Sequence, residues 1–113
     1  GCIVLVSGSP ARKCPPGFAA ISSVGNAVEG FCRAVAPEIA PRRINVVAPG
    51  FIDTPMFPVQ GEAREKFLSQ ATANNVIKRA GRPEEIAHAI IFTITNDFVT
   101  GTTVDVDGGA LLP

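Results

Sequence analysis

The feature that most constrains the fold is a short apolar segment that ends in a Pro-Gly pair near the middle of the chain. The segment Ile44–Val47 has the length and the continuous apolarity of a buried strand. It stops at Pro49 and Gly50, two residue types that favour a sharp turn. In an open parallel sheet, ligands bind just beyond the carboxyl ends of the strands. The pattern therefore predicts a ligand-contacting loop after this strand, with a hydroxyl in it on Thr54.

The segments on either side extend this strand into an alternating pattern of strands and helices. Cys2–Val6 is continuously apolar, as in a parallel strand that is buried on both faces. Helices are predicted from about Ser22 to Glu38, over a short segment from Gly61 to about Ala73, and from Pro83 to about Asn96. A final strand is predicted over Thr102–Val106. This order predicts an α/β fold with a three-stranded parallel sheet and right-handed crossovers.

The apolar residues of the two longer helices recur at helical spacing and predict which face each helix turns to the sheet. In the first of these helices Ser22 or Ser23 is expected to cap the amino terminus. Its predicted sheet-facing stripe is Val24, Val28, Phe31, Val35 and Ile39. The stripe of the last helix is Ile86, Ala87, Ile90, Ile91 and Ile94. His88 points away from that stripe and is expected to be a solvated surface residue.

Composition excludes several classes of function. A chain of 113 residues with 46% hydrophobic residues is expected to form one packed domain over 1–113. Ten basic and ten acidic residues balance, which gives no reason to expect nucleic acid or an anionic membrane as a partner. No apolar run approaches the roughly 18 residues of a membrane span. The three cysteines Cys2, Cys14 and Cys32 lack metal-type spacing and are read as reduced thiols of a cytoplasmic protein.

Several strings of residues, taken in order along the chain, resemble the C-terminal half of the short-chain dehydrogenase/reductase family. They are Ile3–Ser9, Ala27–Phe31, Arg43–Gly50, Gly81–Ala87 and Thr100–Gly109. The resemblance implies a partial Rossmann-like fold from which the Gly-rich dinucleotide-binding half is absent. It also implies a parent reaction of NAD(P)-linked hydride transfer between a carbonyl and an alcohol. The immediate start on a strand-like run leads us to expect a chain whose first half is missing.

The catalytic positions of that family are changed in this chain. The family uses a tyrosine as general acid, a lysine four residues later that lowers the tyrosine pKa, and a serine at the end of the preceding strand. The resemblance places Ile21 at the tyrosine position, Gly25 at the lysine position and Gly8 at the serine position, with Ser7 and Ser9 beside it. The chain contains no tyrosine. We therefore expect it not to be catalytically competent alone.

The part of the family's site that the resemblance extends to this chain is the loop that contacts the nicotinamide. The loop that would hold the carboxamide of NAD or NADP is matched by Pro49, Gly50, Ile52 and Thr54. Backbone groups do most of that work, so the loop tolerates changes of side chain. Phe51, Met56 and Phe57 could line a substrate pocket or could equally be core or exposed surface. The residue that selects between NAD and NADP would lie in the absent half.

Three readings of function remain open. The first is the C-terminal portion of a short-chain dehydrogenase/reductase-like oxidoreductase. The alternative is a non-catalytic module, a pseudoenzyme fragment that associates through its long helix or its open sheet edge. Such association, with a second copy or with a missing N-terminal half, would use apolar residues outside the sheet-facing stripe, including Cys32 and Ala36. A third reading, an enzyme with rearranged catalytic residues, requires a proton donor that the sequence does not identify.

Overall fold

A computed structural model, which describes all residues from 1 to 113, contains a three-stranded parallel sheet with helices on its faces. The strands are β1 (Cys2–Val6), β2 (Arg43–Pro49) and β3 (Thr103–Val106). They lie in the order β1-β2-β3, with β2 in the centre and every pair parallel. The predicted α/β class and the partial Rossmann-like sheet are confirmed.

Three α-helices connect and follow these strands, and one of them begins earlier than predicted. They are α1 (Ala19–Ile39), α2 (Gly61–Ala71) and α3 (Pro83–Thr95). The prediction that Ser22 or Ser23 caps α1 is wrong, because Phe18 occupies the cap position and supplies no side-chain hydrogen bond. Pro83 does open α3, and the backbone N–H of Arg82 donates to the Glu85 carboxylate at 2.8 Å.

The face that α1 turns to the sheet is not the face that its large apolar residues predict. Val24 is 65% exposed and Phe31 is 56% exposed. The buried residues of α1 are Ser22, Gly25, Glu29, Cys32 and Ala36. Most of these side chains are small, so the helix can approach the sheet closely, and this contact determines which side of the helix is covered. The other stripe residues, Val28, Val35 and Ile39, are half-buried and pack against the core, so the predicted stripe lies at the margin of the contact.

The core is correspondingly small and is centred on β2. All five residues from Ile44 to Ala48 are buried. Cys32 and Ala36 of α1 pack against Ile44 and Val46 in the central apolar cluster. The expectation that Cys32 and Ala36 lie outside the sheet-facing stripe is therefore wrong.

The predicted stripe of α3 shows the same shift towards small residues. Ala89 and Thr93 are the buried residues of this helix, whereas Ile91 and Ile94 are exposed. The remaining stripe residues Ile86 and Ile90 are half-buried. On this face of the sheet too, the largest side chains lie at the margin of the contact.

The carboxyl end of α3 is held by the side chain of Arg43, at the start of β2. This side chain is only 13% exposed. Its guanidinium donates to the carbonyl oxygens of Thr93 and Ile94, each at 2.7 Å, and of Val99 at 2.9 Å. A cation at this end of a helix also interacts favourably with the helix dipole. The neighbouring Arg42 is exposed.

Both outer edges of the sheet are open. β1 pairs only with β2, and Ile3 and Val6 at that edge are exposed.

No helix of this chain is both long enough and apolar enough to span a bilayer. The chain also contains no cluster of histidine, cysteine and carboxylate side chains that could bind a metal ion.

Candidate functional site

The three positions that the family resemblance assigns to the serine, tyrosine and lysine come together around one cavity. Gly8 follows β1, and Ile21 and Gly25 lie one turn apart on α1. All three line a cavity of about 340 Å³ whose other walls are mostly alanine and valine. No ionisable side chain lines this cavity. Ser7 supplies its only side-chain hydroxyl, and that oxygen is buried without a hydrogen-bond partner.

The lysine position is closed by the segment that precedes α1. A Cβ atom on Gly25 would lie 2.7 Å from the Cβ of Ala11, well inside van der Waals contact. The hydroxyl of Ser22 donates to the Pro10 carbonyl oxygen at 2.7 Å, and the side-chain amide of Asn26 donates to the Ala11 carbonyl oxygen. Two helix side chains thus bind the main chain of the preceding turn, and Gly25 between them packs against it. A lysine cannot be introduced here unless that turn moves.

An ion-pair network fixes the same turn to the rest of the molecule. Arg12 lies 3.1 Å from the buried carboxylate of Glu29 on α1 and donates to the carboxylate of Asp105 on β3 at 2.8 Å. The hydrogen bond to Asp105 raises the pKa of Arg12, against an opposing effect of burial. Lys13 adds a bond to the Ala110 carbonyl oxygen at 2.9 Å. The segment after β1 is therefore connected to α1, to β3 and to the carboxyl-terminal loop.

The Pro-Gly loop continues β2 and carries all four predicted cofactor-contacting residues. The sequence predicts that Gly50 serves a sharp turn, whereas in the structure it serves the packing of two strand ends. Its N–H donates to the Val106 carbonyl oxygen at 3.0 Å, and a Cβ atom on it would lie 2.7 Å from the Cα of Asp107. Gly50 therefore allows the ends of β2 and β3 to approach each other, and its N–H is not free for a ligand.

Ile52 presents both a free backbone donor and a free backbone acceptor. Neither its N–H nor its C=O makes a hydrogen bond within the chain. The residues on both sides are fixed, because Gly81 accepts from the N–H of Asp53 and donates to the C=O of Phe51, each at 2.9 Å. The hydroxyl of Thr54 is also without an internal partner. A free donor and a free acceptor thus stand together on a backbone that is held on both sides.

The two parts of the site are neighbours. A Cβ atom on Gly8 would lie 3.7 Å from the carbonyl oxygen of Pro49. The apolar cavity beside α1 and the loop that begins at Pro49 therefore lie side by side at the carboxyl edge of the sheet, which is where ligands bind in open α/β sheets.

The aromatic residues after the Pro-Gly turn pack on one another. The rings of Phe51 and Phe57 stack with their centroids 4.5 Å apart, and Phe67 of α2 lies 5.6 Å from each. Met56 is exposed. Of the three residues that could have been pocket, core or surface, two therefore form a small aromatic cluster and the third is surface.

The sequence analysis missed Arg64, which joins α2 to this loop through several hydrogen bonds. One signal could have identified it. Arg64 lies in the first turns of α2, where a cation is unfavourable beside the positive end of the helix dipole. A cation in such a place indicates that it has partners elsewhere.

A second cavity of about 570 Å³ lies between α3 and the end of β3. His88 is exposed, as expected, and stands at its rim. Glu85 also lines it, where the side chain of Arg79 and the backbone N–H of Arg82 lower the pKa of Glu85 to about 2. Arg79 pairs with Glu85, whereas Asp105 pairs with Arg12 outside the cavity. Phe51 and Ile52 also line this cavity, which therefore adjoins the Pro-Gly loop.

Comparison with known proteins places the chain in a family. The model of the family described as enoyl-(acyl carrier protein) reductase matches residues 1–110. The short-chain dehydrogenase/reductase ATR9 of Stachybotrys chlorohalonatus is 38% identical over 97% of this chain and 44% of its own length. The chain thus spans about half of the length of the curated relatives that it matches.

Comparison with solved structures identifies proteins of the same kind. A small-chain dehydrogenase in complex with NADPH has a TM-score of 0.91 and 32% identity, and the match covers all of this chain and 52% of that one. A short-chain oxidoreductase of Pseudomonas aeruginosa PAO1, described as containing an atypical catalytic center, has a TM-score of 0.84 and 28% identity. That match covers 97% of this chain and 47% of the other.

Proposed function

Because this chain belongs to the short-chain dehydrogenase/reductase family, we propose that it forms the nicotinamide-contacting, C-terminal part of an NAD(P)-linked oxidoreductase fold and lacks the standard proton relay. The observation that carries this proposal is the free N–H and C=O of Ile52 in the loop after β2. A carboxamide presents one acceptor and one NH₂ donor, so it can bond to both groups of a single residue.

The residues of the chain fit one end of the cofactor and not the other. Ile52 and the hydroxyl of Thr54 offer hydrogen bonds to the nicotinamide end. No Gly-rich turn joins a strand to a helix amino terminus here, so a pyrophosphate has no cradle within the chain. When bound, the cofactor donates or accepts the hydride. The chain's own part is to orient the nicotinamide ring, and neither NAD nor NADP is favoured by its residues.

Catalysis by this chain alone is not part of the proposal. Ile21 and Gly25 supply no proton, and the cavity beside them is lined by no ionisable group. General acid–base catalysis contributes about 10² to 10⁴ in rate, and a substrate carbonyl at this place would go without it. We propose carbonyl/alcohol oxidoreduction as the parent reaction and a remaining half, with a phosphate cradle, as the missing partner.

Titration of the ¹⁵N-labelled chain with NADH and NADPH tests the proposal. The amide signals of Ile52 and Thr54 should shift most, and no oxidation of either nucleotide should be detected over a panel of ketones. Shifts confined to other regions would remove the support for a nicotinamide site. Clear turnover would instead favour rearranged catalytic residues, as in the family member with an atypical catalytic center.

A second candidate function is that of a non-catalytic association module. The exposed Val24 and Phe31 of α1 and the open edge of β1 favour it. Here the chain would bind a second copy or the missing half in the cytoplasm, where its three free cysteines would stay reduced. The amide signal of Ile52 during nucleotide titration distinguishes the two functions. An association module does not need the free backbone groups of Ile52, so it predicts no shift there.

A further inference from the structure

One arginine on α2 joins that helix to the loop that follows the Pro-Gly turn. The guanidinium of Arg64 donates to the carboxylate of Asp53 at 3.0 Å and to the carbonyl oxygen of Thr54 at 2.9 Å. It also donates to the carbonyl oxygens of Phe57 and Val59, the latter at 3.0 Å. One side chain therefore binds acceptors on four residues of the loop from 53 to 59.

This arrangement uses a property that only arginine has. A guanidinium presents five donors in a rigid plane, whereas an ammonium presents three from one point. The side chain of Arg64 is 18% exposed, and its hydrogen bonds to the carbonyl oxygens of Thr54 and Phe57 are part-buried. The aromatic contact of Phe67, one turn further along α2, holds the same loop through Phe57. The loop is therefore attached to α2 at two places.

The loop attached in this way begins directly beside the free backbone groups of Ile52. Gly81 fixes the residues on both sides of Ile52. Arg64 fixes the next two residues, through the side chain of Asp53 and the carbonyl oxygen of Thr54. The direction of the Ile52 groups and of the Thr54 hydroxyl thus depends on both contacts. A binding loop that is held in its bound conformation loses less conformational entropy on binding.

We propose that Arg64 is a positioning residue for the nicotinamide-contacting loop. It acts through the side chain of Asp53 and the backbone carbonyl of Thr54, and it does not itself contact the cofactor. This inference rests on the proposed function, since only then does the loop have a ligand to receive.

Reduced nicotinamide mononucleotide is the probe, because it carries the nicotinamide without the second nucleotide. Binding to the full 113-residue chain is followed by NMR, and amide hydrogen exchange of the loop is measured on the same samples. Arg64→Met should weaken binding at least about tenfold and raise exchange in residues 53–59, while exchange in β2 stays unchanged. Lys66→Met, an exposed cation two residues further along α2, is the matched control and should alter neither.

Two further variants separate positioning from general stability. Arg64→Lys should recover only part of the affinity, because a single ammonium cannot reach all four acceptors. Asp53→Asn weakens the same contact from the loop side, and it replaces Arg64→Met if that variant does not fold. Urea unfolding of each variant shows whether a loss of affinity merely follows a loss of folded protein.

The outcomes for the two proposals are distinct. If wild type and Arg64→Met bind the probe equally, or if exchange in the loop is unchanged, the positioning role is wrong and the proposed function stands. Full recovery by Arg64→Lys also contradicts the role, since a charge alone would then suffice. If the wild-type chain shows no binding, the proposed function is wrong and the positioning role is rejected with it.

Discussion

At the scale of single residues, Gly25 has a structural role that its place in the family pattern does not suggest. The family resemblance puts a lysine there, and the structure puts Ala11 against it. The sequence pattern marked this position only as the expected place of the lysine. It could not reveal the contact, because the turn that carries Ala11 lies fourteen residues away and has no pattern that predicts where it docks.

Replacement of Gly25 by alanine should destabilise the fold, although alanine favours helix by about 1 kcal/mol over glycine. Overpacking against Ala11 should outweigh that gain and leave a net loss of about 1–3 kcal/mol in the free energy of unfolding. Gly30→Ala is the matched control on the same helix, since a Cβ there meets nothing closer than 3.9 Å. That variant should be stabilised. Equal urea midpoints for the two would show that Ala11 yields freely.

The same contact bears on any attempt to restore the relay. Ile21→Tyr combined with Gly25→Lys would supply the acid and the ammonium only by displacing the turn that Arg12 connects to Glu29 and Asp105. The lysine position is therefore constrained by packing as well as by the identity of its residue.

At the scale of elements, α3 is stabilised at each end by a charged side chain, an acidic one at its start and a basic one at its end. Glu85 accepts from the backbone at its start, and Arg43 donates to the carbonyl oxygens at its end. The sequence predicted the start of α3 at Pro83 but not the contact of Glu85. It did not predict the contact at the other end either, because Arg43 lies on a strand far away in the chain.

Arg43→Met should lower the free energy of unfolding by about 1–3 kcal/mol, because the carbonyl oxygens of Thr93 and Ile94 lose their side-chain donor and that of Val99 loses one of two. Arg42→Met is the control, since Arg42 is exposed and makes no such bonds. Its effect should stay within about 0.5 kcal/mol. Chemical denaturation with a circular dichroism readout measures both, and similar losses in the two variants would contradict the capping role.

The contribution of Glu85 should depend on pH in a defined window. Its pKa is lowered from the usual 4.5 to about 2 by Arg79 and by the N–H of Arg82. A carboxylate with a depressed pKa in the folded state stabilises the fold fully above its unfolded-state pKa, and the stabilisation is lost as pH falls towards the folded-state value.

Wild type should therefore lose more stability than Glu85→Gln between about pH 4.5 and pH 2. Glu84→Gln should retain the wild-type pH dependence, because only Glu85 makes these bonds. Urea midpoints measured at pH steps across the window provide the test. Parallel curves for wild type and Glu85→Gln would show that the ion pair adds nothing to stability.

At the scale of the whole molecule, the order of elements was predictable and the covered faces were not. Continuous apolarity identified the strands, and the Pro-Gly and Pro-Glu-Glu signals identified the ends of β2 and the start of α3. Helical periodicity gives a stripe but does not tell whether it meets the sheet or another molecule. On α1 the small residues pack against the sheet, which leaves Val24 and Phe31 exposed. The free groups of Ile52 follow from long-range backbone pairing, which no local pattern encodes.

The isolated chain should associate, because the exposed stripe of α1 and the edge of β1 are both apolar and uncovered. Val24→Glu combined with Phe31→Glu should raise the apparent dissociation constant at least about tenfold in sedimentation velocity across a dilution series. Met56→Glu, which also replaces an exposed apolar residue but outside α1, is the control. A monomeric wild type at high concentration would contradict this prediction.

The register of the sheet also has a consequence for the way in which the molecule folds. Cys2 pairs with Arg43, and Val46 pairs with Thr103. No two adjacent strands are joined by a hairpin, so every pairing must close a loop of about forty residues or more before it gains any stability. Folding should therefore be slow for a chain of this size. Until both neighbours arrive, the central strand β2, which is the most buried in the folded protein, has two unpaired edges, and refolding yield should fall as protein concentration rises.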